Sequence, residues 1–243
     1  MFNPLIRVDN LSKAFKGVKA VHNVSFQMKD GEIIGLIGPN GAGKTTFFNL
    51  IAGAIQPDQG EIYFNENNIT SLKPHEVCKM GIGRTFQIVR PFKELTTLEN
   101  VIIGCLSKEH RLSRATRNAR DILDLLGLME KAEQKAEYLT LPERKRLEVA
   151  RALATKPSLL LLDEVMAGLR PNEVDVMVKV LLNLNKQMGL SLLVIEHVMR
   201  AVMSLSNHII VLNHGEKIAE GKPEIVTKDP RVLECYLGEE VAA

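Results

Sequence analysis

The chain has 243 residues and a formal net charge of +2; hydrophobic residues make up 45% of it and charged residues 25%. This size allows one large α/β domain or two small ones, and the composition is ordinary for a globular protein. A near-neutral chain lacks the basic stripe expected of a nucleic-acid-binding protein, so no nucleic-acid partner is predicted. The three cysteines are odd in number and widely spaced, which fits a reducing compartment and predicts no metal site.

Segments that direct proteins to membranes are not recognisable in this sequence. No apolar run approaches the roughly 18 residues needed to cross a bilayer. The N-terminal stretch MFNPLIRVDN lacks the basic and apolar regions of a secretory signal. We therefore expect a cytoplasmic protein for which any membrane role comes through a partner.

The first part of the chain is predicted to form short strands, because apolar stretches alternate with turn residues. The predicted strands are Leu5–Val8, Val24–Met28, Glu32–Ile37 and Gly60–Phe64. A short helix is predicted over Ser71–Met80, since Gly81 is a suitable C-cap residue. Gly83–Gln87 is predicted as a strand that runs into a loop.

From about residue 92 to residue 155 the pattern becomes helical, with apolar residues at three- and four-residue spacing. Gly127 marks a break in this region. Arginines recur every three residues and predict a basic helix face, formed by Arg111, Arg114, Arg117 and Arg120. A solvated face is the favoured interpretation, and contact with a partner or with lipid head groups is the alternative.

Alternation of strands and helices then resumes. Four successive leucines in Ser158–Asp163 are typical of a parallel strand that is buried on both faces. The other predicted elements are a helix over Pro171–Met188, a strand over Ser191–Ile195, a helix over His197–Ser204, strands over His208–Leu212 and Glu216–Ala219, and a final helix near Pro230. Asn213-His214-Gly215 predicts a hairpin turn. The pattern indicates an α/β core interrupted by an all-helical insert.

The run GPNGAGKTT, which directly follows the apolar stretch Glu32–Ile37, fits the phosphate-binding pattern G-x-x-x-x-G-K-[ST] at each fixed position. Its glycines let the backbone curl around a polyphosphate, and a helix from Lys44 to about Ala54 presents its positive end to the same anion. Lys44 is expected to reach the β- and γ-phosphates, and the Thr45 hydroxyl to hold Mg²⁺. The residues predicted to bind the nucleotide here are Gly38, Pro39, Asn40, Gly41, Ala42, Gly43, Lys44, Thr45 and Thr46.

A pair of acids ends the predicted leucine strand. Asp163 is predicted to be a magnesium ligand, and Glu164 is predicted to polarise the attacking water as the general base. The alternative is an acidic helix cap after a strand, which is common. With a phosphate-binding loop in the same chain, we favour the functional interpretation.

Two further polar residues follow predicted strands. Gln87, in GRTFQ, is predicted to reach the metal and the catalytic water, and His197, in VIEHVM, to contact the γ-phosphate and hold Glu164 in register. The alternatives are that Gln87 is an ordinary surface glutamine and that His197 has only a structural role.

Two apolar residues ahead of the phosphate-binding loop are candidates for contact with the base. Phe15 is predicted to stack on the adenine, and Val21 to form an apolar wall beside the same base. The alternative for Phe15 is a core aromatic side chain.

These motifs occur in the order found in the ABC transporter ATPase family, which the chain resembles from about Leu5 to Gly238. GPNGAGKTT is similar to the first nucleotide motif of that family, Gln87 to its glutamine loop, LLLLDE to its second motif and His197 to its switch histidine. The resemblance implies a P-loop NTPase core of ABC ATPase type with a β-rich N-terminal subdomain. Residues 1–86 and 156–243 would form that core, and residues 87–155 the helical insert.

Two segments, GRTFQIVRPFKELTTLENV and DPRVLECYLGEE, resemble the ATP-binding subunits of branched-chain amino acid importers. This resemblance implies ATP and Mg²⁺ as ligands and a second ATPase subunit, identical or different, in a head-to-tail dimer. It also implies membrane permease subunits that hold the chain at the inner face of the membrane, and indirectly a substrate-binding protein.

The chain departs from the family in the signature segment, where L-S-G-G-Q is replaced by Leu139-Thr140-Leu141-Pro142-Glu143. Thr140 keeps a hydroxyl that is expected to reach a γ-phosphate across the dimer interface. Pro142 has no backbone N–H to donate, although proline suits the first helical position. The sequence thus predicts a weakened clamp on the partner's nucleotide, and two unequal sites if the partner is a different ATPase.

The leading hypothesis is the energy-coupling ATPase of an importer for branched-chain or related amino acids. The alternatives are the ATPase of another ABC transporter, such as a lipid or polysaccharide exporter, a soluble ABC ATPase outside transport, and a regulatory module that no longer turns over ATP. Soluble ABC ATPases usually carry two cassettes or a long coiled coil, for which 243 residues leave no room.

Overall fold

The computed structural model of the chain describes residues 3–87 and 90–240, which form two sheets and surrounding helices. An antiparallel sheet has the strand order β2-β1-β4-β5 and a larger sheet the order β10-β9-β3-β8-β7-β6. The strands are β1 (Ile6–Phe15), β2 (Val18–Met28), β3 (Ile33–Ile37), β4 (Gln59–Phe64), β5 (Asn67–Asn68), β6 (Ile82–Arg84), β7 (Leu159–Asp163), β8 (Ser191–Ile195), β9 (His208–Asn213) and β10 (Glu216–Gly221). The larger sheet is parallel except for β10, which runs antiparallel to β9 at one edge.

The α-helices are distributed along the chain between and after these strands. They are α1 (Lys44–Ile51), α2 (Pro74–Met80), α3 (Thr97–Cys105), α4 (Leu112–Leu125), α5 (Leu141–Leu153), α6 (Pro171–Met188), α7 (Met199–Leu205), α8 (Pro223–Val226) and α9 (Pro230–Glu240). Between β6 and β7 the described residues form α3, α4, α5 and two 3₁₀ turns but no strand. None of the helices in the described part of the chain is both long and apolar enough to cross a membrane.

The core lies on both faces of the parallel sheet, whose strands β3, β7 and β8 are buried at each residue. The four leucines of β7 divide between the two faces. Leu160 and Leu162 pack with the helices of the insert and with α6, whereas Leu159 and Leu161 pack with α1 and the antiparallel sheet. This alternation is the period of two expected of a strand.

The topology brings several chain segments to one edge of the sheet. Strands β6, β7, β8 and β3 are parallel neighbours, so the segments that follow their carboxyl ends meet there. Ligands of open α/β sheets bind at this edge. The phosphate-binding loop, Gln87, Asp163 with Glu164, and His197 all follow these four strand ends.

Several predicted boundaries differ from the structure. The strands predicted over Leu5–Val8 and Val24–Met28 belong to longer strands, β1 and β2, which continue through polar residues. Bulges interrupt their pairing, and Asn10 and Asn23 have φ of 50° and 53°, so the apolar alternation on which the prediction relied is broken there. The predicted helix over Ser71–Met80 begins only at Pro74, a residue suited to the first helical turn.

The hairpin predicted at Asn213-His214-Gly215 is present. Strand β9 ends at Asn213 and β10 begins at Glu216, and the two residues between them have φ of 47° and 81°. Two consecutive positive φ angles are the requirement of the common two-residue hairpin turn.

Candidate active site

The phosphate-binding loop connects β3 to α1 and is shaped by two glycines. Gly38 has φ of 148° and Gly43 has φ of 99°. A Cβ atom would lie 2.0 Å from the carbonyl oxygen of Leu212 at the first position and 2.1 Å from that of Ala20 at the second. Neither position accepts a side chain, because both the backbone conformation and the available space require glycine.

Lys44 is the first residue of α1, and its side chain folds back into the loop. Its Nζ donates hydrogen bonds to the carbonyl oxygens of Gly38, at 2.6 Å, and Pro39, at 2.8 Å, and the residue is only 6% exposed. Asn40, Gly41 and Thr45 are exposed around it. An ammonium group is thus placed at the centre of the curl, where an anion would meet both it and the end of α1.

The three predicted magnesium ligands lie around one cavity of about 510 Å³. We call it the metal-side cavity. It is lined by Thr45, Arg84, Phe86, Gln87, Arg90, Glu148, Arg151 and Asp163. These residues come from α1, the end of β6 and the segment after it, α5 and the end of β7, so the fold gathers them from distant parts of the sequence.

Asp163 is 2% exposed, and its two carboxylate oxygens differ in their contacts. Oδ2 accepts a hydrogen bond from Nη2 of Arg84 at 3.3 Å, whereas Oδ1 is buried without a hydrogen-bond partner. Burial raises the pKa of Asp163 above its usual value, and the Arg84 guanidinium opposes that rise. A buried carboxylate oxygen without a partner is costly unless a cation meets it.

The donors of the metal-side cavity fit Mg²⁺. Asp163 supplies a carboxylate, Thr45 a hydroxyl and Gln87 an amide oxygen, and oxygen donors are those that Mg²⁺ prefers. Among the described residues there is no cluster of three or more His, Cys, Asp or Glu side chains that would hold a metal alone. A single carboxylate is sufficient for Mg²⁺, which usually keeps waters and binds substrate phosphates.

The Glu164 side chain is held between the two other predicted catalytic residues. Its Oε2 accepts a hydrogen bond from Nε2 of Gln87 at 2.7 Å, and its Oε1 lies 2.8 Å from Nε2 of His197. The Glu164 side chain is 14% exposed and that of His197 is 44% exposed, so the carboxylate lies just inside the surface. The structure therefore brings Gln87, Glu164 and His197 into one hydrogen-bonded group.

Lys145 in α5 belongs to the same group, although the sequence analysis assigned it no role. Its Nζ donates to the main-chain carbonyl oxygens of Glu164, at 2.8 Å, and Gln87, at 3.4 Å, and the residue is 4% exposed. Burial lowers the pKa of Lys145, and nearby carboxylates oppose the shift. The helical spacing places Lys145 and Glu148 on one face with the apolar Ala152, but in so charged a helix this does not show that the face is buried.

The sequence also contained no indication that Arg84 and Glu196 lie beside the site. Arg84 joins α1 to β7, because its Nη1 donates to Oδ1 of Asn49 at 2.6 Å while its Nη2 contacts Asp163. Glu196 is 2% exposed and accepts a hydrogen bond from the backbone N–H of Met166 at 2.7 Å. Burial raises the pKa of Glu196 to about 7.

The two predicted base contacts have different outcomes. Phe15 ends β1 and is 45% exposed, with Nζ of Lys13 over one face of its ring at 5.7 Å from the centre, so the ring is partly exposed. The prediction for Val21 is wrong, because this side chain is 1% exposed and packs in the core. Val18 pairs directly opposite Phe15 and is 70% exposed.

Thr140 is the N-cap residue of α5 and is exposed. Its backbone N–H and its hydroxyl donate to the same oxygen of Glu143, at 2.8 and 2.9 Å. Pro142 is the second residue of α5 rather than the first as predicted, but a helix leaves its first N–H groups unpaired, so proline costs no intrahelical bond there. Thr140 is not among the residues that line the metal-side cavity.

The sequence matches a known protein family. The family model described as "ABC transporter" matches residues 21–167, which is more than half of the chain. The chain belongs to the ABC transporter ATPases. A second model, described as "Branched-chain amino acid ATP-binding cassette transporter", matches residues 216–242 at the C-terminal end of this ATPase.

Relatives of the ATPase cover nearly its full length. It is 39% identical to the high-affinity branched-chain amino acid transport ATP-binding protein LivG of Salmonella typhimurium, over 98% of this chain and 100% of that protein. It is 37% identical to BraF of Pseudomonas aeruginosa, a protein of the same description, with the same coverage.

Solved structures confirm the predicted fold class. The ADP conformation of an ATP-binding cassette of an ABC transporter is 34% identical, with a TM-score of 0.88 over 97% of this chain and 99% of that one. A dimeric cassette in a post-hydrolysis state, bound to ADP and Pi, is 28% identical with a TM-score of 0.81, over 90% and 98%. The chain therefore has the ABC ATPase fold and is an ATP-hydrolysing transporter subunit, as the sequence predicted.

Proposed function

We propose that this ATPase is the energy-coupling subunit of an importer for branched-chain or related amino acids. The observation that carries the catalytic part is the Glu164 carboxylate, held at 2.7 Å by Gln87 and at 2.8 Å by His197 at the sheet edge where Asp163 also lies. The amino acid substrate is supported by the relatives LivG and BraF and by the match of residues 216–242.

In this proposal the nucleotide is held at its two ends. The adenine stacks on the exposed face of Phe15 beside Val18, and the triphosphate lies in the loop from Gly38 to Thr46. Lys44 then exchanges the carbonyl oxygens of Gly38 and Pro39 for phosphate oxygens, which carry more negative charge.

Thr45, Gln87 and Asp163 would hold Mg²⁺, and the unpaired Oδ1 of Asp163 supports this assignment. When bound, Mg²⁺ neutralises the charge that develops on the phosphate oxygens. The Gln87 amide has both an acceptor and a donor, so its oxygen can face the metal while its Nε2 keeps the hydrogen bond to Glu164.

Glu164 is the general base of the proposal. A carboxylate held by two donors has a fixed direction, which positioned proton transfer requires. One of its oxygens accepts the proton of the attacking water, and His197 holds the carboxylate in register while contacting the γ-phosphate.

A second ATPase subunit would complete each site, since a related cassette has been solved as a dimer with ADP and Pi. We propose a head-to-tail arrangement in which Thr140 faces the γ-phosphate bound by the partner. Burial alone would raise the pKa of Glu143, but its hydrogen bonds with Thr140 and the charges of Lys131 and Arg146 hold that pKa below its usual value. A carboxylate on the Thr140 hydroxyl weakens this clamp, so in a heterodimer the two sites are unequal.

The permease contact is proposed at a groove of about 360 Å³ between α2 and α5, which includes the exposed Phe86. Arg84, Glu148 and Arg151 line both this groove and the metal-side cavity. A permease loop seated there would touch the side chains that border the metal ligands, so the insert of residues 87–155 would transmit motion from the core of residues 1–86 and 156–243. The subunit would thus lie at the inner face of the membrane, with a substrate-binding protein engaged indirectly.

The test is reconstitution of the ATPase with its co-purified permease subunits in liposomes, with the substrate-binding protein added. ATP-dependent accumulation of labelled leucine, lost in Glu164→Gln, is expected. Release of phosphate without accumulation of any branched-chain amino acid would contradict the substrate but not the ATPase site. In a heterodimer, equal losses of turnover from Glu164→Gln and from the same change in the partner would contradict the unequal sites.

A further inference from the structure

The catalytic glutamate has an unusual backbone. Glu164 has φ of 50°, in the left-handed region that residues other than glycine, asparagine and aspartate rarely adopt. Backbone strain of this kind persists only where the surrounding structure enforces it, and it concentrates at functional sites. The groups that hold this peptide therefore decide where the Glu164 carboxylate points.

Three hydrogen bonds hold the main chain of Glu164, one of them from the N–H of Ala167 to its carbonyl oxygen at 3.2 Å. The N–H of Glu164 donates to the carbonyl oxygen of Ile195 at 2.9 Å, which fixes it to the end of β8. Its carbonyl oxygen accepts from Nζ of Lys145 at 2.8 Å, and the same ammonium lies 3.4 Å from the carbonyl oxygen of Gln87. One buried side chain thus bridges the peptides of the two residues whose side chains also meet.

We infer that Lys145 is a positioning residue for ATP hydrolysis, which holds the strained peptide of Glu164 and the Gln87 loop in the register that aims the carboxylate at water. The inference rests on the proposed role of Glu164 as the base. Lys145 itself touches neither the nucleotide nor the water in this scheme and acts through the two residues that it bridges.

The location of Lys145 gives this contact a second consequence. Helix α5 begins at Leu141, directly after the exposed Thr140 that we place at the partner interface, and Lys145 follows within the second turn. Any shift of α5 on binding of the partner's nucleotide would therefore reach the peptide of Glu164 through the Lys145 ammonium.

The experiment measures steady-state ATP hydrolysis and ADP affinity of the full-length chain, assembled with its partner subunits, with three substitutions at Lys145. Lys145→Met removes the ammonium and keeps the length of the side chain, Lys145→Gln removes the charge and is one atom too short to bridge the two carbonyl oxygens as lysine does, and Lys145→Arg keeps both the charge and the reach. We expect kcat of Lys145→Met to fall between about tenfold and a hundredfold, the range produced by small displacements of a catalytic group. KM and the Kd for ADP stay within about twofold, because the loop around Lys44 is untouched, and Lys145→Arg recovers most of kcat.

Lys108→Met is the matched control. Lys108 is exposed, and its Nζ also donates to a main-chain carbonyl oxygen, that of Lys79 at 2.9 Å, away from the catalytic group. Its kcat should equal that of the unmodified chain. Thermal unfolding and ADP binding establish that each variant is folded.

A folded Lys145→Met variant with the kcat of the unmodified chain would overturn the inference. If Lys145→Met does not fold, an unchanged kcat in Lys145→Gln would overturn it instead. A loss of kcat together with ADP affinity, not restored by Lys145→Arg, also overturns it, since that pattern reports general structural damage. Glu164→Gln in the same assay separates the two proposals. If Glu164→Gln is inactive while Lys145→Met is fully active, the base stands and only the role of Lys145 fails; if Glu164→Gln remains active, the proposed base is wrong.

Discussion

Nε2 of His197 lies 2.8 Å from Oε1 of Glu164, although 33 residues separate them in the chain. The two residues follow neighbouring parallel strands, β8 and β7, whose carboxyl ends lie side by side. The contact is therefore a product of the sheet topology, and it fixes one of the two oxygens of the proposed base.

Replacing His197 should slow ATP turnover without weakening nucleotide binding. His197→Ala frees one oxygen of Glu164 and removes the proposed contact with the γ-phosphate, so kcat is expected to fall by about 10²-fold or more, with little change in the Kd for ADP. Phosphate release and calorimetry measure the two quantities. His208→Ala is the matched control, since Nε2 of His208 also contacts a glutamate, Glu220, at 3.2 Å; a loss of equal size in both variants would argue against a specific role.

Removing Phe15 should weaken nucleotide binding without changing the chemistry. Stacking of a base on an aromatic ring contributes about 1–3 kcal/mol, so Phe15→Ala should raise the Kd for ATP by about ten- to a hundredfold, and Phe15→Trp should preserve it. Phe92→Ala is a close control, because Phe92 is likewise 45% exposed and has a cation, Arg151, over its ring. Unchanged affinity in Phe15→Ala would place the base elsewhere.

Arg84→Met tests the pairing of the buried Asp163. The substitution leaves a carboxylate that is 2% exposed without its counter-charge, and breaking a buried pair costs about 3–5 kcal/mol. We expect the free energy of unfolding without ligand to fall by about this amount, and Mg²⁺ with ADP to recover part of it. Arg7→Met, which breaks the half-exposed pair with Asp9, should cost less than about 1 kcal/mol; a similar cost for both would contradict the pairing.

Glu196 makes stability depend on pH. Its pKa in the folded chain is about 7, above the usual glutamate value of 4.5. Between these two pH values Glu196 is therefore protonated in the folded chain and ionised in the unfolded chain. Ionisation of Glu196 therefore does not lower the free energy of unfolding below about pH 4.5. Between about pH 4.5 and 7 the loss of stability grows with pH, and above that it stays at about 3 kcal/mol at most.

Glu196→Gln keeps an acceptor for the N–H of Met166 and removes this titration. Its free energy of unfolding, measured by denaturant titration from pH 5 to pH 8.5, should exceed that of the unmodified chain increasingly as pH rises towards 7 and remain higher above it. Glu130→Gln changes an exposed glutamate and should give a curve parallel to that of the unmodified chain. A difference between Glu196→Gln and the unmodified chain that does not vary with pH would contradict the assignment.

The parts of the site that follow strand ends were predictable from sequence. Asp163 and Glu164 end a run of four leucines, and such a run indicates a parallel strand buried on both faces, whose end meets the phosphate-binding loop after β3. The contacts from Gln87 and His197 to Glu164 could be expected for the same reason.

Side chains that reach the site from a helix or from within the core were not predictable. Lys145 resembles the other charges of its helix, and only the packing of α5 on β7 shows that it is buried beside Glu164. Val21 was predicted to contact the base but lies in the core. The alternation of apolar residues in β2 does not show which face of the strand meets a ligand and which meets the core. The bulges of β1 and β2 arise from long-range pairing, so the local pattern underestimated both strands.

The most direct test of the account is a single-turnover measurement on Glu164→Gln with its partner subunits and Mg²⁺ present. Glutamine keeps the size of the side chain and removes its ability to accept a proton. We predict that Glu164→Gln binds ATP with unchanged affinity and releases phosphate at least about 10²-fold more slowly than the unmodified chain. Phosphate release at the unmodified rate would show that the carboxylate held between Gln87 and His197 is not the base.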